Sequence, residues 1–252
     1  MSLTYQICRA LRLVRGKFRP YTSAVILAGG MGSRMKSTDG VTKQMMLLEG
    51  VPVLVRSVRA FDQCEYIDEI VLVTREEERD AVLTLMRDYK IQKFTHAVIG
   101  GETRRHSALR GLEAISDKAK FVAIHDAARC LITPAMIADV VSAAYANRAA
   151  TAGCASVDTL KRVNTSGYIV GTEDRREIYR AQTPQVFDAG LYRAAAYSAE
   201  KDGAECTDDN MLVERLGHTV KMVDVGEENL KITTSLDLAF ASVILKRREE
   251  KR

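Results

Sequence analysis

Paired cysteines are the first thing this sequence lacks. Its five cysteines, Cys8, Cys64, Cys130, Cys154 and Cys206, are scattered without a single Cys-x-x-Cys. That spacing argues against a zinc site and a disulfide framework, and it predicts ordinary thiols in a reducing, cytoplasmic compartment. Long apolar runs are also missing. None approaches the ~20 residues needed to span a bilayer, so no membrane segment is expected. The start of the chain lacks acid: Asp39 is the first acidic residue, preceded by Arg9, Arg12, Arg15, Lys17 and Arg19. Organelle transit peptides are Arg-rich and acid-poor but also Ser-rich, which this stretch is not, and no continuous apolar core of a secretory signal is present. We read residues 1–22 as a basic amphipathic helical tail.

Three nucleotide-site signatures are absent or broken. No Gly-Lys-Ser/Thr follows the glycine-rich stretch, which argues against a P-loop. Gly30-Met31-Gly32 begins a dinucleotide fingerprint, but Met35 stands where its third glycine belongs, which argues against a nicotinamide-dependent oxidoreductase. No Asp-x-Asp occurs, which argues against a metal-dependent glycosyltransferase. A non-catalytic nucleotide sensor remains a rival, opposed only by the retained cations described below.

What is present points to one α/β domain over residues 23–252. The chain has 252 residues, 46% of them apolar and 28% charged, with a net charge of +4. That charge does not call for nucleic acid and suits small anionic substrates. Val25, Ile26 and Leu27 read as a strand buried on both faces, as in a parallel sheet. The strand runs into Ala28-Gly29-Gly30-Met31-Gly32, where missing side chains let backbone N–H groups approach a ligand. Arg34 and Lys43 then add positive charge, and the combination predicts a polyphosphate site.

Further along, strands are expected at 69–74, 95–99, 121–124, 149–156 and 220–225. Helices are expected from Pro52 to Phe61 and at 76–88, 105–115, 134–147, 189–202, 208–216 and 235–246. The alternation predicts a doubly wound, mostly parallel sheet. In such sheets ligands bind beyond the carboxyl ends of the strands, where 29–32, Gly100-Gly101 and His125-Asp126 would all fall. Residues 158–182 break the pattern. They alternate polar and β-prone residues around Asn164-Thr165-Ser166-Gly167, a hairpin signal, and are read as a projecting β-arm. The tail from 246 onward reads as a solvated charge run.

Taken together, several motifs resemble one family. They are Ala28-Gly29-Gly30-Met31-Gly32-Ser33-Arg34-Met35, Lys43-Gln44, Gly100-Gly101-Glu102-Thr103-Arg104-Arg105-His106-Ser107, His125-Asp126-Ala127-Ala128-Arg129, Asp158-Thr159, Gln182-Thr183-Pro184-Gln185, Thr207-Asp208-Asp209 and Asn229-Leu230-Lys231-Ile232-Thr233. Their order and spread resemble the 2-C-methyl-D-erythritol 4-phosphate cytidylyltransferases of isoprenoid precursor biosynthesis. A sister family that uses ribitol 5-phosphate shares most of them, so the resemblance alone leaves the polyol open. Three positions depart from the family pattern: Gly29 is usually alanine, and Thr42 and Cys130 are usually proline.

The resemblance implies a Rossmann-like nucleotidyltransferase sheet and attack of a polyol phosphate on the α-phosphorus of CTP. It implies Arg34, Lys43 and Lys231 as catalytic cations. Arg175, on the arm, would reach the polyol phosphate of a partner chain. Ala28, Gly29, Gly30, Gly32, Gly101, Glu102 and Ser107 would bind the nucleotide, and Arg129, Thr159, Thr183 and Thr207 would surround the polyol. Asp126 would hold Mg²⁺, and His125 has no role in the chemistry. A polar two-stranded arm is marginal alone, so a homodimer through 158–182 is expected.

Overall fold

The computed structural model describes residues 19–30 and 42–250. Of the expectations above, the helical tail up to residue 18, Gly32 and Arg34 lie outside the described residues. Three apolar strands, β1 (Thr22–Leu27), β4 (Glu69–Thr74) and β6 (Phe121–Asp126), lie inside the sheet, and β5 (Phe94–Ile99) forms the edge next to β4. Beside them lie β7 (Ala149–Ala155), β10 (Tyr179–Asp188) and β11 (Lys221–Asp224), giving a seven-stranded sheet in the order β11-β7-β10-β6-β1-β4-β5. Pairing is parallel except on either side of β10, which runs antiparallel to both β6 and β7.

Alternate side chains of the central strands feed two cores. Ala24, Ile26, Ile70, Leu72 and Ala123 face one side, against α1 (Val53–Asp62), α2 (Arg79–Asp88) and α4 (Pro134–Asn147). Val25, Val71, Val73, Val122 and Ile124 face the other, against α3 (Arg104–Glu113), α5 (Ala189–Lys201) and α6 (Asp209–Arg215). Burial on both faces explains why these strands read as unbroken apolar runs rather than alternating ones. Gly111 lets α3 settle on the sheet, since a Cβ there would overlap Val25 and Val73. Cys64, Cys130 and Cys154 are buried free thiols, as expected, and burial pushes Cys130 up to about 12.

Five sequence expectations need correction. The turn before α1 is Glu49-Gly50, both at positive φ, joining the two-residue strands β2 (Leu47–Leu48) and β3 (Val51–Pro52); Pro52 caps the helix from the strand. His125 and Asp126 lie within β6, not beyond it. The arm is shorter than 158–182: its ribbon is β8 (Lys161–Val163) with β9 (Ile169–Thr172), and residues from Tyr179 onward belong to the central sheet. Strand β10 was not anticipated at all. Pro184 argues against a central strand because it has no N–H for the ladder. The sheet accommodates it where the β10–β7 register shifts, between Ala181 and Gln185, with the Thr183–Pro184 peptide cis. Last, α7 (Ser235–Glu250) extends past 246, and Arg248 is not a solvated charge: it donates to the Leu131 carbonyl at 2.7 Å and pairs with Glu228. Among the described residues no helix is long and apolar enough to cross a membrane.

Candidate active site

The chain runs outward from β1 to β4 and β5, then returns to β6 on the other side of β1. A crevice at such a reversal, beyond the carboxyl ends of the strands, is where doubly wound sheets bind ligands. Here it is a cavity of ≈ 540 Å³, within the usual range for a small-molecule site. Its floor is made of strand ends: Leu27 and Ala28, Thr74, Gly100 and Asp126. Backbone bonds hold that floor, with Ala28 N–H donating to the Val73 carbonyl at 2.7 Å and Gly100 N–H to the Thr74 carbonyl at 2.8 Å.

Ala28, Gly29, Gly30, Lys43, Gly101, Glu102, Ser107, Asp126 and Lys231, all singled out in the sequence, line this one cavity. Thr103 caps α3 by accepting from His106 N–H. Ser107, one turn later, reaches back to Gly101, accepting from its N–H at 3.1 Å and donating to its carbonyl at 3.3 Å. Ser107 therefore shapes the Gly100-Gly101 loop, and a Cβ on Gly101 would overlap His106.

Asp126 is the electrostatic centre. Lys231 Nζ lies 2.6 Å from its Oδ2 and Arg104 Nε lies 3.1 Å from its Oδ1. Burial opposes its ionisation, yet Arg104 and Lys231 outweigh burial and hold its carboxyl well below the usual carboxylate range. Arg104 also pairs with Asp209 at 2.7 Å. Burial works against its charge, but Asp209 and Asp126 raise it beyond an ordinary guanidinium. Behind it, Asp209 accepts from the Tyr192 hydroxyl at 2.6 Å and its N–H donates to Gln185 Oε1 at 2.9 Å. Burial, then Asp209, pushes that phenol well above its ordinary value. Arg104 thus ties a pocket carboxylate to the core under α5 and α6.

Several residues expected around the polyol make contacts within the chain. Thr183 is buried, and its hydroxyl accepts from Asp126 N–H at 3.0 Å and bonds His125 Nδ1 at 3.0 Å. It supplies the acceptor that the interrupted β10 ladder does not, and so fixes Asp126. Arg129 donates to the Asn229 carbonyl at 3.0 Å, and Asn229 in turn donates to Gln182 Oε1 and the Thr183 carbonyl. Thr159 and Thr207 are exposed, and Thr207 bonds Met211 Sδ. Arg175 is exposed on the arm, donating to the Val157 carbonyl at 3.4 Å. None of these five lines the cavity. Arg75, Thr74, Gln44 and Arg104 do line it and had no assigned role. Arg104 was visible inside the Gly100–Ser107 motif, whereas Arg75 follows an ordinary strand and carried no signal.

The model of the 2-C-methyl-D-erythritol 4-phosphate cytidylyltransferases matches residues 22–247. The chain belongs to that family. Relatives bearing the name include one from Caldanaerobacter subterraneus, 38% identical over 89% of this chain and 99% of its own length. Another, from Lachnoclostridium phytofermentans, is 40% identical over 90% of this chain and 97% of its own length. The crystal structure of a 4-diphosphocytidyl-2C-methyl-D-erythritol synthase from Anaerococcus prevotii superposes with a TM-score of 0.81 at 29% identity, covering 90% of this chain and 96% of the other. That of the cytidylyltransferase from Thermus thermophilus gives 0.70 at 27% identity, covering 88% and 98%. As a cytidylyltransferase family member the protein is an enzyme of the nucleotidyltransferase class, and the doubly wound sheet expected from the sequence is the family's fold.

Proposed function

We propose that this protein joins CTP and 2-C-methyl-D-erythritol 4-phosphate, releasing pyrophosphate, in isoprenoid precursor biosynthesis. A phosphate oxygen of the polyol attacks the α-phosphorus of CTP, and the bond to the bridging oxygen of the pyrophosphate breaks. The nucleophile is already anionic, so positioning and charge stabilisation supply most of the catalysis. The observation that carries this reading is the charge of the cavity. Lys43, Arg75, Arg104 and Lys231 line it with Glu102, Asp126 and several glycines, an excess of cations suited to a polyphosphate. Lys43 and Lys231, with Arg34 from outside the described residues, stabilise the charge that builds on the α-phosphate. Glu102 and the Gly101 backbone face the cytosine. Named relatives act on the methylerythritol phosphate, so the ribitol 5-phosphate reading is not favoured.

Among the described residues no group of three or more His, Cys, Asp or Glu side chains would hold a metal by itself. A single ionised carboxylate suits Mg²⁺ shared with substrate phosphates, and Asp126 would hold it. The ion would neutralise charge on the leaving pyrophosphate. The enzyme acts in the cytoplasm as a homodimer. Val163, Tyr168, Ile169 and Val170 are exposed on the arm, and a second arm covers them while carrying Arg175 and Thr159 toward the neighbouring cavity.

The test is pyrophosphate release from CTP, Mg²⁺ and each polyol phosphate. Lys43→Ala should lower turnover by roughly a hundred- to a thousandfold, the usual loss of one preorganised cation or donor, at an unchanged melting temperature. No release with the methylerythritol phosphate would overturn the proposal.

A further inference from the structure

Lys43 enters the cavity from a short turn, and one carboxylate holds the residues on both sides of it. Glu78 ends the single-turn helix Glu76–Glu78 that follows β4. Its Oε1 accepts from the Thr42 hydroxyl, and its Oε2 accepts from the Gln44 side-chain amide at 2.7 Å. Gln44 is 2% exposed, and its carbonyl accepts from Leu54 N–H at 2.9 Å at the start of α1. The Thr42 carbonyl accepts from Met45 N–H, closing the turn at 2.9 Å.

The geometry is that of a bracket. Two oxygens fixed to one carbon take one donor from each side of Lys43, which limits both the position and the rotation of the backbone that carries it. Glu78 itself does not line the cavity, so it meets no substrate from there. Thr42 is held in the bracket by its hydroxyl, not by its covalent geometry. A proline ring fixes φ covalently. Threonine does not, but its hydroxyl supplies the bond to Glu78.

We infer that Glu78 is a positioning residue for Lys43, gripping Thr42 and Gln44 so that the ammonium group is held at the cavity. The inference rests on the reading of Lys43 as a cation serving the α-phosphate. A lost positioning contact costs on the order of a hundredfold in rate when a reacting group moves by about an ångström. Glu78→Ala should therefore lower kcat on that order, with KM for CTP and the melting temperature little changed. Glu78→Gln keeps an acceptor for Thr42 but turns an amide toward the Gln44 amide, and should fall between the two.

Two further variants separate positioning from simple structural support. Thr42→Pro introduced into Glu78→Ala should recover most of the lost turnover, because the ring restores the φ constraint. In a Lys43→Ala background, Glu78→Ala should have no additional effect, since the two changes remove one function. Full turnover in Glu78→Ala beside an impaired Lys43→Ala would overturn the inference and leave the functional reading intact. Losses that multiply in the double variant would also overturn it, because Glu78 would then act elsewhere. Full turnover in Lys43→Ala would overturn the functional reading and the inference together.

Discussion

Asp126 and Arg175 mark opposite extremes of how this molecule treats charge. Asp126 is 8% exposed and gripped by Arg104, Lys231 and its own backbone bond to Thr183, contacts drawn from three segments distant in sequence. Arg175 is exposed and has one long bond to a neighbouring carbonyl. The regions around them differ in the same way. The cavity floor is held by bonds within its own chain, while the β8–β9 ribbon pairs only within itself and leaves Tyr168 73% exposed. The contrast teaches that the charge-rich cavity is preorganised within one chain, whereas the arm leaves its apolar side chains uncovered by its own chain.

The sharpest way to break the contrast is to cut the connection behind Asp126. Arg104→Ala leaves Asp209 buried and without its cation. Removing one partner of a buried pair costs about 3–5 kcal/mol, so urea unfolding should show a loss of about 3 kcal/mol. A loss below about 1 kcal/mol, the worth of a surface pair, would place Arg104 with exposed charges like Arg175.

Acid should act next most strongly, and mainly on the cavity side. Burial pushes His125 down to about 3 from its ordinary 6.5. Between those values the unfolded chain binds a proton that the folded chain refuses, so stability is full above about 6.5 and falls as pH drops. By pH 5 the loss should be on the order of 2 kcal/mol. Asp126 adds to it at lower pH: its folded value is depressed, so its contribution is present above its ordinary 3.8 and fades below. Urea midpoints between pH 7 and pH 4 check this. His125→Gln should flatten the slope through pH 5, and a slope unchanged in that variant would remove His125 from the account.

Changes on the arm should have the smallest effect on the chain itself. Ile169→Ser with Val170→Ser should alter unfolding free energy by no more than about 0.5 kcal/mol, as for other surface changes. Sedimentation should nevertheless show dimers giving way to monomers. For the same reason, an inactive Arg175→Ala chain mixed with an inactive Lys43→Ala chain should recover activity, since one of the two shared sites is then intact. Monomers in the unsubstituted protein, or no recovery although subunits exchange, would make the arm a free-standing ribbon.

Much of this arrangement was legible in the sequence, and the exceptions share a physical cause. Val25, Val71 and Ile124 announced the parallel strands because double-sided burial leaves them no polar alternation. Gly29, Gly101 and Asp126 announced the cavity because strand ends converge in any doubly wound sheet. Strand β10 stayed hidden because Pro184 breaks the ladder and a side chain, Thr183, replaces the missing acceptor. Thr183 and Arg129 brace backbone here, a role invisible in the sequence because polar residues that brace a backbone have the same composition as those that bind substrate. Arg75 and Glu78 carried no signal, since their roles come from loops that meet only after folding.

The place where the arm is rooted has a consequence for how the protein varies. It leaves the sheet after β7 and returns at the start of β10, and those strands already pair there, Ala155 opposite Tyr179. The two ends of the insertion are clamped side by side by the sheet, so the length of what hangs between them hardly enters the folding equilibrium. Doubling a flexible loop costs only about 0.6 kcal/mol. The arm is therefore an exchangeable cassette: residues 158–178 could be lengthened, trimmed or swapped for another chain's arm while the strands that carry Asp126 keep their register.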